Sequence, residues 1–162
     1  MARKLHMPPD IKVLEAAGAI GDGRITLRRT DKRIIASVQS SMGDRTYNVI
    51  VALPQDSFNQ VLYAYSDDNG TRFRGYIGYP IIAVLMLAGL LPRNPRLEEG
   101  LKGIKWKELN ERFKKYNITK QYVLKAASRV LPEHEVTGYM RRVLDSLKRM
   151  TIYYDPKLAR TS

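Results

Sequence analysis

The chain has 162 residues, 44% of them apolar, and carries 28 Lys and Arg against 16 Asp and Glu for a net charge of +12. That size and apolar content suit one folded domain, or one domain with a helical appendage, and argue against wholesale disorder. The lack of cysteine excludes disulfides, thiolate zinc sites and a cysteine nucleophile. The basic excess points to a polyanionic partner, nucleic acid above all, with a charge-rich thermophile surface as the alternative.

The start, MARKLHMPPD, is basic without an apolar core, which predicts a cytoplasmic rather than a secreted protein. A first helix is expected from about Pro9 to Ala19. Asp10 suits its N-terminal end, Ile11, Leu14 and Ala17 share a stripe, and the glycines at 18, 21 and 23 close it. Gly18-Ala-Ile-Gly21-Asp-Gly23 ends a helix rather than opening one and has no Gly-Lys-Ser/Thr, so it does not read as a phosphate loop.

Five strand-like segments follow, at 24–29, 33–40, 45–53, 60–66 and 71–79, with turn residues between them. Asp68-Asn69-Gly70 is the clearest hairpin signal, because Asn and Gly tolerate positive φ. Sequential strands with tight turns predict an antiparallel meander of four or five strands. Alternation in the last segment would place Arg72, Arg74 and Tyr76 on one side. Pro80 can then start a helix over the apolar run Ile81–Leu91, with Gly89 and Pro92 as stop signals. At 1.5 Å per residue that run reaches roughly 16 Å, about half of a bilayer core, so no membrane span is expected. A helix apolar all round must be buried on most sides, which predicts a central helix gripped by the sheet.

Pro92-Arg93-Asn94-Pro95-Arg96 reads as a rigid polar joint between a sheet-and-helix domain at 1–92 and a helical region at 97–162. Helices are expected from Lys105 to Tyr116, from about Thr119 to before Pro132, and from Glu133 to Met150. Val136, Met140, Val143, Leu147 and Met150 form a lengthwise seam, suited either to packing within the chain or to a homo-oligomer contact. The expected class is therefore α+β: a short N-terminal helix, a meander around a central apolar helix, and C-terminal helices.

Sequence patterns for catalysis are weak. HExxH, GxSxG and Walker patterns are missing, and His134 lies between Glu133 and Glu135, whose side chains diverge on a helix. The reading is of a non-enzymatic protein with no cofactor. Cations and rings interleave instead: Arg28, Lys32, Arg33, Tyr47, Tyr63, Tyr65, Arg72, Arg74, Tyr76 and Tyr79, joined by Lys105 and Trp106 in the LKGIKWK segment. Arginines and lysines suit phosphates, and tyrosines suit either the core or stacking on unpaired bases. Trp106 reads as a core anchor of its helix or as a ligand contact.

The stretches IKVLEAAGAIGDGRI and RGYIGYPIIAVLMLAGLLP, within residues 8–92, resemble the ThermoDBP group of archaeal single-stranded DNA-binding proteins. The C-terminal helices look more like the ThermoDBP-related proteins. The resemblance implies sequence-tolerant binding of single-stranded DNA by a sheet-and-helix cleft, in homo-oligomers such as dimers or tetramers. RNA is the nearest rival ligand, since no residue pattern here reads the 2′-hydroxyl. The rival class is a structural protein whose charge serves only solvation.

Overall fold

The computed structural model describes residues 2–54 and 60–160. In chain order it contains β1 (Arg3–Lys4), α1 (Ile11–Gly21), β2 (Ile25–Arg29), β3 (Arg33–Gln39), β4 (Thr46–Ala52), β5 (Val61–Ser66), α2 (Asn69–Arg72), α3 (Tyr79–Leu87), α4 (Pro95–Gly100), α5 (Trp106–Phe113), α6 (Tyr116–Ala127), α7 (Glu133–Arg149), β6 (Thr151–Tyr154) and a 3-10 turn, Pro156–Arg160. The class is α+β, built on a mixed sheet in the order β1-β6-β5-β4-β3-β2.

The strands β2 to β5 form an antiparallel meander. Their β-branched and apolar residues alternate, so Ile34, Ala36, Val38, Val49, Val51, Leu62 and Ala64 are buried on one face. Against that face lies α3, from Tyr79 to Met86 buried at every position. Its far side is covered by α1 rather than by more sheet. The apolar circumference of α3 is thus buried in a sandwich of sheet and helix, where a sheet wrapped around it was expected. Helix α1 is itself enclosed, with every residue from Ile11 to Ala19 buried, and α4, α6 and α7 pack around it. Its C-terminal end comes so close to α4 that a Cβ on Gly21 would sit 2.0 Å from the Glu98 carbonyl oxygen.

The expected fifth strand over 71–79 does not form. Asp68 caps α2 instead, accepting from Thr71 N at 3.1 Å, Thr71 Oγ1 at 2.8 Å and Ser66 Oγ at 2.5 Å. This buried network satisfies the orphan amides of a helical turn, which an Asn-Gly hairpin would leave to solvent. Arg72 therefore ends a helix, and Arg74 lies in the turn before Gly75, whose φ of +73° reverses the chain. The following residues run beside the N-terminal segment: His6 N donates to Gly75 O at 2.8 Å and Ile77 N to His6 O at 3.0 Å.

Downstream, Asn94 caps α4 through Leu97 N at 3.1 Å, so the joint over 92–96 opens a helix. The helix expected over 105–116 breaks at Lys114, whose φ is +58°, and Thr119 lies buried inside α6 rather than capping it. In the α7 seam, Val136, Met140, Val143 and Leu147 are buried within the chain, where α1 and α6 pack on α7, and Met150 is partly buried. After α7 the chain re-enters the sheet: β6 lies parallel to β5 and antiparallel to β1. Residues beyond 97 thus build part of the sheet, which the helical reading of that region did not include. Among the described residues, no helix is long and apolar enough to cross a membrane.

Candidate functional site

A cleft of about 420 Å³ opens between the start of α1, the β3–β4 turn, the segment from α2 to Tyr79, and α5. A second hollow of about 330 Å³ continues it towards Lys114 and Lys115, sharing Lys12, Arg74, Asn110 and Tyr116. The floor is an ion pair on α1, with Lys12 Nζ 2.9 Å from Glu15 Oε1 and both residues buried. Such a pair in an otherwise apolar helix needs its geometry satisfied on every side. The Lys12 ammonium also lies 5.3 Å from the centre of the Tyr116 ring.

Tyrosines form the walls. The Tyr76 and Tyr116 hydroxyls share a hydrogen bond of 3.3 Å, and the Tyr76 ring rests on Gly70, where a Cβ would come within 2.4 Å of it. Tyr47 meets Tyr79 edge to face at 6.3 Å, and the Arg45 guanidinium sits 5.2 Å from the Tyr47 ring. On the far rim Lys107 pairs with Asp44 at 2.5 Å, and its amide donates to Ser41 Oγ at 3.1 Å, docking α5 on the β3–β4 turn.

The electrostatics favour donors. Burial works against the Lys12 charge, but Glu15, by charge and hydrogen bond, more than offsets it, and the ammonium titrates above the ordinary lysine value. Burial raises the Tyr76 and Tyr79 hydroxyls well above a free tyrosine, and Tyr47 to a lesser degree. At neutral pH these groups stay protonated and can donate. The buried carboxylates are already committed, Glu15 to Lys12 and Asp68 to its three donors. Arg45, Arg74, Lys114 and Lys115 are exposed on the rim, against one exposed lining carboxylate, Glu111. The cleft is therefore suited to an anion with aromatic groups beside it.

The residues expected from the sequence fall into separate places. Tyr47, Arg74, Tyr76 and Tyr79 meet in the cleft. Tyr79 is only 8% exposed, so it contributes an edge and a hydroxyl rather than a stacking face. Arg28 and Tyr65 share one row of the opposite, outer sheet face, and Arg33 and Tyr63 the next. There Tyr63 stacks on Tyr153 at 5.5 Å. At the end of β6, Tyr154, opposite Ala64 in register, stacks on Tyr65 at 6.0 Å. Lys32 lies in the turn before β3. Arg72 sits over the exposed Phe73 ring at 5.1 Å, away from Arg74's cleft. Lys105 lines a different groove, on the other side of α5.

Of its two expected roles, Trp106 takes the core anchor and not the ligand contact. It is 1% exposed and abuts Gly18 of α1, where a Cβ would lie 3.0 Å from its Nε1, so it anchors α5 in the core and cannot meet a ligand. Sequence reasoning missed Lys12, Glu15, Arg45, Lys107 and Tyr116. A signal for the first two was present: charged residues three apart inside IKVLEAAGAI, where every neighbour is apolar or small. Arg45, Lys107 and Tyr116 converge only through tertiary packing.

The fold and this cleft define an α+β protein with a basic, tyrosine-walled groove floored by a buried ion pair. The family model described as "Uncharacterised conserved protein UCP014422" matches residues 5–153, and the chain belongs to that family. No curated protein and no solved structure matches the chain.

Proposed function

We propose that this protein binds single-stranded DNA without strong sequence preference, the strand running through the cleft between α1, α2 and α5. The supporting observation is the continuous groove in which Arg45, Arg74, Lys107, Lys114 and Lys115 surround Tyr47, Tyr76 and Tyr116. Cations along a groove neutralise successive phosphates, and ring faces accept unpaired bases whatever their sequence. The net charge of +12 draws the polyanion in. The ThermoDBP-like stretches imply the same ligand, although the groove suggested here lies at the helix side of the sheet's edge rather than on a fifth strand.

Fluorescence anisotropy with labelled oligonucleotides tests the reading. A single strand is expected to bind more tightly than a duplex of equal length. With three to five phosphates neutralised, log affinity should fall against log salt with a slope of about −2 to −3.5. An RNA strand of the same sequence gives the DNA-to-RNA preference. No binding at about 50 mM salt, or equal affinity for duplex, overturns the proposal.

A further inference from the structure

On the other side of α5 lies a larger groove, about 670 Å³, between the 100–105 loop, α5 and α6. Lys102, Lys105, Arg112, Lys125 and Arg129 line it, against a single lining carboxylate, Glu108. Lys102 is held only loosely, 3.4 Å from Glu99, with both side chains more than half exposed. The other four cations lie at the surface, and Tyr122 presents a ring that is 53% exposed. Apolar groups, among them Ile104, Leu109 and Val130, form the floor. A surface with this imbalance of charge and an exposed ring fits a phosphate backbone with an unpaired base.

The two grooves share α5 as a wall. Lys107, Asn110 and Glu111 face the first, and Lys105, Glu108 and Arg112 the second. A helix is about 10–12 Å across with its side chains, a distance covered by about three nucleotides even at the 3.4 Å per nucleotide of a stacked strand. We infer that the groove lined by Lys105, Arg112, Lys125 and Arg129 is a second strand-binding track, and that a long single strand leaves the cleft, crosses α5 and continues there. This inference rests on the cleft reading above. It makes the binding site bipartite, with short strands held by the cleft alone and long ones by both tracks.

The test compares a strand of about six thymidines with one of about twenty, the longer exceeding a single groove, on the full chain and on the triple variant Arg112→Ala, Lys125→Ala, Arg129→Ala. All three positions are exposed, so the fold is expected to survive; circular dichroism and a melting curve confirm that it does. The variant should bind the long strand at least tenfold more weakly, with a salt slope shallower by about 2, while its affinity for the short strand stays within twofold. Tyr122→Ala should weaken only the long strand, and with little change in slope. If the parent binds both strands with steep salt dependence and the triple variant does so too, the second track is wrong and the cleft reading stands. Equal losses for both lengths also overturn the bipartite site. A parent that binds neither strand removes the cleft reading itself.

Discussion

The Arg45→Ala, Arg74→Ala double variant is expected to bind single-stranded DNA about ten- to a hundredfold more weakly than the parent near physiological salt, with a salt slope shallower by about 1.4. Both arginines are exposed on the cleft rim. Neither takes part in an ion pair among the described residues, and Arg45 touches the protein through the Tyr47 ring. Their removal should therefore change stability by no more than about 0.5 kcal/mol, which separates a binding defect from a folding one. Each phosphate contact on a single strand contributes about 0.7 to the slope, so two contacts give the stated change. Arg28→Ala with Arg33→Ala, on the outer sheet face, serves as the comparison and should leave the affinity within about threefold. If the sheet-face pair weakens binding and the cleft pair does not, the strand lies over Tyr63 and Tyr153, and the cleft serves something else.

Lys12→Met should lower the unfolding free energy by about 3–5 kcal/mol, because it strands the buried Glu15 carboxylate without its partner. Adding Glu15→Leu should restore most of that loss, since an apolar pair of similar volume no longer carries an uncompensated charge. Urea unfolding at neutral pH measures both. The pH dependence has a definite sign. Lys12 titrates above its ordinary value in the folded protein, so its contribution is fully present below the unfolded lysine pKa of about 10.4 and is lost as pH rises through the higher folded value. The gap between parent and Lys12→Met should therefore be as large at pH 9 as at pH 7, and narrow only above about pH 10. A single variant within about 1 kcal/mol of the parent would show that Glu15 finds another partner or water, and that the cleft floor is not built on this pair.

Local rules carried much of the fold. Alternation of apolar residues located β2 to β5, because one sheet face is buried and a slip of one residue would expose it. Pro80 in the first turn of α3 and Gly89 with φ +81° beyond its end read true as punctuation. Residues 71–79 do not extend because the Ser66, Asp68 and Thr71 side chains cap a helix at Asn69-Gly70, contacts that the Asn-Gly turn signal alone does not show. Strand β6 leaves little local signal because Thr-Ile-Tyr-Tyr is short and follows a long helix, and its place beside β5 is a non-local pairing. The cleft was half legible for the same reason. Tyr76 and Arg74 drew notice through their neighbours in sequence, whereas Lys107 reaches the site only because Trp106 buries beside Gly18 and seats α5 there.

Ultraviolet crosslinking of a bromouracil-substituted single strand, followed by peptide mapping, reads the path of the strand over the protein. Adducts are expected on Tyr47, Tyr76 or Tyr116, the rings that face the cleft. Adducts confined to Tyr63, Tyr65 or Tyr153, on the outer face of the sheet, would contradict it.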